Sequence, residues 1–159
     1  MPLAHPSFSS ACSLLLAAER NAEASRKPYL AEARDRLEQI DLFVAEFAAI
    51  KGVADRRIDF RKAMMQRSYA EAIYYFGHRA VKALAKGVLR WPAKPVLGMT
   101  IVRNHLIEHA DRIGLLSQNW VTEVSEGIIL KPFSPDQYRD RGLFPNLLEL
   151  KERIERAVP

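Results

Sequence analysis

The chain has 159 residues, of which 48% are hydrophobic and 27% charged. This is the length and composition of one ordinary globular domain, which buries a core without metals or disulfides. Its one cysteine excludes an intramolecular disulfide and fits a reducing compartment. No apolar run is long enough to cross a bilayer and no secretory leader is recognisable, so we expect a soluble cytoplasmic protein without a membrane partner.

The net charge of +5 is concentrated in the middle third of the chain. Residues 51–103 carry 12 basic and 3 acidic side chains, whereas the segments on either side are each slightly acidic. No acidic residue lies between Glu71 and Glu108. A surface of one sign attracts polyanions such as nucleic acid, and the alternative explanation is an ordinary solvated helix face.

The first half of the chain predicts two helices. Residues 9–25 are rich in Ala and Leu, which are strong helix formers. Pro28 then stands where a first helical turn tolerates proline. An amphipathic stripe at alternating steps of three and four follows, and Gly52 is expected to end the helix. The stripe consists of Leu30, Ala33, Leu37, Ile40, Val44 and Phe47.

Residues 53–65 are less regular and predict a loop or a short helix. A second amphipathic helix follows, with Gly77 inside it as a sign of close helix packing. Its apolar positions are Tyr69, Ile73, Phe76, Ala80, Ala83 and Leu84. The same helix carries a basic stripe at one-turn spacing, which we take as the candidate nucleic-acid-binding surface: Arg79, Lys82, Lys86 and Arg90.

The last third predicts two more helices with a long connection between them. Pro95 opens a helix that contains Met99 to Leu116, and the final helix covers Phe144 to Val158, with Leu147, Ile154 and either Leu148 or Leu150 inward. Residues 118–142 are irregular, with a short β-hairpin or an irregular loop near 118–135. We therefore predict one all-α domain over residues 1–159, an antiparallel bundle of four or five helices.

The helix from Met99 to Leu116 holds the densest group of chemically useful side chains. Arg103 and His109 fall on opposite shoulders of its apolar stripe, separated by about 120° and about 9 Å along the axis. Asn104 lies on the polar side. Side chains placed so far apart on one helix do not readily form a compact site alone.

Arg103-Asn104 followed by His109 resembles the signature of the HEPN family, small helical bundles that include RNA-cleaving toxins and defence effectors. That motif is an Arg, a polar residue that is commonly Asn, and a His after four to six intervening residues. The resemblance implies metal-independent RNA cleavage without a cofactor. His109 would be the general acid or base, Arg103 would stabilise the phosphate transition state, and Asn104 would orient one of them or bind the substrate. It also implies a homodimer in which two copies of the motif face one cleft.

Two other interpretations of the chain remain open. One is a non-catalytic helical protein that binds nucleic acid or a protein partner, as a scaffold or antitoxin-like subunit does. The other rests on His105, Glu108 and His109, which match the H-x-x-E-H pattern of inverted zinc peptidases. Those enzymes need a third ligand and a larger catalytic domain, so we predict no metal site.

Four further side chains could be functional but are more simply explained as part of the structure. His78 is expected to be a packing histidine rather than a catalyst. Tyr74 and Tyr75 are able to stack on unpaired bases, although tyrosines at such positions usually lie at the edge of a core with a bonded hydroxyl. Cys12 lies among small apolar residues and is expected to be inert.

Overall fold

The structure, a computed structural model, describes residues 6–50, 60–92 and 143–159. These residues form four helices, which we number in chain order. They are α1 (Ser9–Asn21), α2 (Lys27–Ala49), α3 (Phe60–Gly87) and α4 (Leu143–Ala157). The all-α fold predicted from the sequence is confirmed.

Helix α1 begins just after Phe8, a residue that α2 holds in place. The backbone N–H of Phe8 donates to both carboxylate oxygens of Asp41, at 2.9 and 3.1 Å, and Phe8 is fully buried. The helix ends at Asn21, earlier than the Ala-rich composition through Ser25 predicts. The chain then turns through a hydrogen bond from the Arg26 N–H to the Glu23 carbonyl, 3.0 Å, and enters α2.

Helix α2 provides the centre of the core. All six positions of its predicted apolar stripe are buried, and Pro28 occupies the first turn, where no helical acceptor awaits its missing N–H. The helix ends at Ala49, because Ile50 adopts an extended conformation with ψ of 113°. The end therefore precedes Gly52, which lies outside the described residues.

Helix α3 runs antiparallel to α2 along its whole length. Phe43 meets Tyr69 near one end of the pair, with ring centroids 5.8 Å apart. At the other end the backbone of Gly87 approaches Leu30 so closely that a Cβ on this glycine would stand 3.1 Å from the leucine. The two helices therefore approach closely at Gly87, and the close packing predicted at Gly77 stays a prediction. The helix also begins at Phe60, so part of the segment predicted as a loop or short helix is its first turn.

Helix α4 closes the core by packing against α1, and its two ends lie near opposite ends of α2. Near its start the Phe144 ring meets Phe47 edge-on, with centroids 6.0 Å apart, and near its end Ala157 shares a pocket with Leu30. The buried positions include Leu147, Leu150 and Ile154, whereas Leu148 is exposed. The four helices thus contribute to one hydrophobic cluster.

The predicted helix from Met99 to Leu116 and the predicted hairpin near 118–135 lie outside the described residues. Within the parts that are described, no helix combines the length and the apolar character that crossing a bilayer requires.

Candidate nucleic-acid interface

The four predicted basic residues lie at the carboxyl-terminal half of α3 and in the turn that follows it. Arg79, Lys82 and Lys86 are on the helix, and Arg90 lies beyond its end, where the N–H of Trp91 bonds to the carbonyl of Val88 at 3.3 Å. Lys82, Lys86 and Arg90 are exposed and Arg79 is partly so. The stripe is therefore accessible to solvent, although its members have different neighbours.

Arg79 is committed to an ion pair with α2. Its Nη2 lies 2.9 Å from Oε1 of Glu32, and the two side chains are 40% and 33% exposed. An ion pair this open to water contributes little to stability, typically less than about 1 kcal/mol. It does, however, place a carboxylate inside the basic stripe, so the positive charge of Arg79 is partly neutralised.

Lys82 and Lys86 extend the stripe towards the end of the helix. The Lys86 Nζ lies 5.3 Å from the ring centroid of Tyr29 on α2, which is the geometry of an exposed cation–π contact. Lys82, one turn earlier, is exposed. Neither lysine is buried, so both ammonium groups are available to a phosphate.

Arg90 borders a cleft in which three arginines converge. The cleft has a volume of about 540 Å³ and lies between the turn after α3 and the end of α4. We call it the arginine cleft, and its lining residues are Arg90, Pro92, Arg153, Arg156, Ala157 and Pro159. A second pocket of about 380 Å³ with mainly apolar walls adjoins it and shares Arg90, Ala157 and Pro159.

The two α4 arginines also form ion pairs within their own helix. Arg153 lies 3.5 Å from Glu149, and Arg156 lies 3.9 Å from Glu152, each one turn away. Cations near a helix C-terminus also complement the helix dipole. The helix dipole therefore explains why some cationic side chains lie at this end of α4. It does not account for three guanidinium groups around one open cleft.

An aromatic cluster continues the surface towards the other end of α3. Phe43 stacks on Phe76 with ring centroids 5.4 Å apart, and the guanidinium of Arg36 lies 5.6 Å from the centroid of Phe76. Tyr75 meets the edge of Phe76 at 5.9 Å. We call the surface that combines this cluster with the basic stripe the α2–α3 face: Tyr29, Glu32 and Arg36 of α2, and Tyr75, Phe76, Arg79, Lys82 and Lys86 of α3.

The two adjacent tyrosines of α3 have opposite environments. Tyr74 is fully buried, and its hydroxyl accepts a hydrogen bond of 3.2 Å from the side-chain amide of Asn146, so it has no ring face to offer a base. Tyr75 is 43% exposed. His78 is buried on the inner side of the same helix, in agreement with the packing role predicted for it.

The opposite side of α2 has a different electrostatic character. Cys12 lies in a groove between α1 and α2 that is also bordered by Arg34, Glu38 and Asp41, and we call it the acidic groove. Burial raises the pKa of the Cys12 thiol to about 12, with further increases from the carboxylates of Glu38 and Asp41. The thiol is therefore protonated and unreactive near neutral pH, as predicted.

Several contributors to the basic surface are not apparent from the α3 stripe alone. Arg153 and Arg156 are about 65 residues away in sequence and join Arg90 because α4 ends beside α3. Their spacing of three on an amphipathic helix is the one sequence signal that places them on one side. Tyr29 and Arg36 belong to α2 and reach the surface because α2 and α3 are antiparallel.

The predicted catalytic residues Arg103, Asn104 and His109 lie outside the described residues, as do His105 and Glu108. Among the residues that the structure describes, no group of His, Cys, Asp and Glu side chains is arranged to hold a metal ion.

The chain was compared with protein-family models, with curated proteins and with solved structures, and none of these three comparisons produced a match.

Proposed function

We propose that the chain is a HEPN-like RNA-binding protein that cleaves RNA without a metal ion. The lysines of α3 and the arginine cleft would hold the phosphate backbone. The observation that carries the proposal is the convergence of Arg90, Arg153 and Arg156 on one cleft after the end of α3. Several cations around one cleft bind a polyanion by neutralising its phosphates and releasing counterions.

In the cleavage step, a ribose 2′-hydroxyl attacks the adjacent phosphorus while a general base removes its proton. The bond from phosphorus to the 5′-oxygen breaks, and a general acid protonates that oxygen. His109 would act as base or acid, Arg103 would stabilise the charge on the transferring phosphate, and Asn104 would orient one of them. The resemblance to the HEPN family supports these roles, together with a homodimer in which both copies contribute to the cleft.

Binding is tested by removing two charges from the basic stripe. We expect the double variant Lys82→Gln/Lys86→Gln to weaken binding of a labelled single-stranded RNA. The slope of log K against log salt should fall by about 1.4, since each lost phosphate contact on a single strand contributes about 0.7. Fluorescence anisotropy over a series of salt concentrations measures both quantities.

The matched control removes the same charge from the same helix at its other end. Arg61 and Lys62 are exposed in the first turn of α3, about 30 Å or more along the axis from Lys82 and Lys86. The double variant Arg61→Gln/Lys62→Gln should retain the wild-type salt slope. Equal losses in the two double variants would mean that net charge alone attracts RNA, and the proposed surface would be wrong.

Cleavage is tested separately from binding. In EDTA, wild-type protein should cleave RNA, and Arg103→Ala and His109→Ala should each abolish the products while RNA binding persists. Undiminished cleavage in both variants would refute the assigned catalytic roles. A wild-type protein that binds RNA and does not cleave it would identify the chain as a non-catalytic RNA-binding protein.

A further inference from the structure

Two exposed tyrosine rings lie along the α2–α3 face with basic side chains between and beside them. Tyr75 and Tyr29 are 43% and 36% exposed. Tyr29 lies beside Lys86, so the two rings are separated by about 16 Å along α3, the length of eleven helical residues. Arg79 and Lys82 lie between these two levels. The order along the face is therefore ring, two cations, and a ring with a cation beside it.

This order does not follow from the needs of the core. Tyr74, the neighbour of Tyr75, supplies the buried aromatic contact of that turn, whereas Tyr75 keeps much of its ring in water. Tyr29 contacts the Lys86 ammonium at 5.3 Å, a contact that is weak in water, about 0.5–1 kcal/mol. Both rings remain accessible to a flat partner that would exclude water from them.

We propose that the α2–α3 face binds single-stranded nucleic acid, with bases stacked on Tyr75 and Tyr29, a phosphate between the rings held by Lys82, and a phosphate beside Tyr29 held by Lys86. The inference rests on the proposed RNA binding and deepens it by naming the strand state. Aromatic rings along a positive groove are the usual means of binding single strands, because every unpaired base offers a π face.

Duplex RNA fits this face less well. Its bases are already stacked and paired, and an A-form helix presents mainly phosphates, 2′-hydroxyls and a shallow groove to a protein. A duplex would therefore engage Lys82 and Lys86 and gain nothing from the tyrosines. The spacing of about 16 Å between the rings also leaves room for more than one nucleotide, so we expect the strand to follow the face rather than cross it.

The ion pair inside the face is compatible with a bound strand. Glu32 is held at 2.9 Å by Arg79, so its negative charge is balanced where the phosphates would pass. Arg36 lies over Phe76 at the Tyr75 end and adds a planar guanidinium on which a further base is able to stack.

The test compares a labelled unstructured RNA of about 12 nucleotides with a blunt duplex of the same length, using wild type, Tyr75→Ala and Tyr29→Ala. We expect the single strand to bind more tightly than the duplex. Each Ala variant should lose about fivefold to a hundredfold in affinity for the single strand, with an unchanged salt slope because no charge is removed. Duplex affinity should be the same in all three proteins.

The conservative variants Tyr75→Phe and Tyr29→Phe keep the ring and should restore wild-type affinity. Leu42→Ala, which removes an exposed apolar side chain of α2 outside the α2–α3 face, is the matched control and should have no effect. Circular dichroism melting confirms that the substitutions at these exposed positions leave the bundle folded.

Two kinds of outcome would contradict the inference and leave the proposed function intact, and a third would contradict both. Tight RNA binding that the Ala variants leave unchanged would refute the stacking role. Equal affinity for duplex and single strand, or equally effective competition by polyglutamate, would show that the face responds to charge alone. A wild-type protein that binds neither RNA would refute the proposed function, and this inference with it.

Discussion

Two surfaces lie on opposite sides of helix α2, and they differ in their charged and aromatic side chains. On the side of α1, the acidic groove places Glu38 and Asp41 around a buried thiol. On the side of α3, the α2–α3 face combines exposed tyrosines with lysine and arginine. In the acidic groove, the carboxylate of Asp41 is bonded within the protein, because it accepts hydrogen bonds from the Phe8 backbone N–H. The α2–α3 face leaves Lys82 and Lys86 exposed to solvent.

The difference teaches that net charge is a poor guide to where a polyanion would bind on this chain. Several acidic residues lie on α2, and Asp41 on the α1 side accepts hydrogen bonds from the Phe8 backbone N–H. The one on the α3 side, Glu32, is paired with Arg79. Four predictions test the two surfaces, and we take them from the largest expected effect to the smallest.

The largest expected effect is on the reactivity of Cys12. Raising the thiol pKa from 9.0 to about 12 lowers the thiolate fraction at pH 8 by about a thousandfold, and the thiolate is the nucleophile. Native protein should therefore react with iodoacetamide about a thousandfold more slowly than protein unfolded in urea. Glu38→Gln removes one cause of the raised pKa and should accelerate the native reaction. Equal rates in native and unfolded wild type would contradict the description of the groove.

The same shift has a consequence for stability at high pH. The unfolded thiol loses its proton near 9 and the folded thiol near 12. The contribution to stability is therefore fully present below pH 9 and is lost as the pH rises towards 12. The free energy of unfolding, measured with urea at pH 8 and at pH 10.5, should fall more between these two pH values for wild type than for Cys12→Ala, which lacks the titrating group.

The third prediction concerns the attachment of α1. Asp41→Ala should lower the free energy of unfolding by about 1–3 kcal/mol, because the Phe8 N–H would lose its acceptor in a buried position. Asp41→Asn keeps an acceptor oxygen and should lose less, and Asp35→Ala, at an exposed position, should be near neutral. RNA affinity should be unchanged in all three. A loss of RNA affinity in folded Asp41→Ala would remove the distinction between the two surfaces.

The smallest effect is expected on the α2–α3 face itself. Glu32→Gln releases Arg79 and removes a negative charge, so RNA affinity should rise severalfold and the salt slope should steepen by about 0.7. Glu38→Gln makes the same change on the other side of α2 and should leave RNA affinity as it is. An equal rise in both variants would mean that RNA senses the overall charge rather than this face.

The core positions were predicted correctly where the spacing of apolar residues within one helix is enough to identify its buried side. The stripe from Leu30 to Phe47 is buried as the spacing predicts, because a helix that packs on both neighbours must bury a full row of apolar positions. The choice between Leu148 and Leu150 needed the structure. Both lie near the inner side of α4, and the position of the neighbouring helices determines that Leu150 is covered.

The sequence also predicted the basic stripe, and it missed what other helices add to it. Tyr74 and Tyr75 are adjacent and chemically identical, yet one ring is buried and the other exposed, and the hydroxyl of Tyr74 bonds to Asn146 of α4, 72 positions away. The pairing of Arg79 with Glu32 spans 47 positions. Such contacts depend on tertiary packing, which the spacing of residues within one helix does not contain.

Among the described residues, Glu38 and Asp41 lie with Arg34 on the α1 side of α2, and the exposed Lys82 and Lys86 lie on its α3 side. A dipolar particle turns in the field of a polyanion before contact, which raises the fraction of encounters that are correctly oriented. If RNA binds the α2–α3 face as proposed, this division of charge across α2 would raise the rate at which a strand is captured as well as the affinity. The association rate would then be sensitive to ionic strength over the range in which the Debye length shrinks from about 30 to about 8 Å.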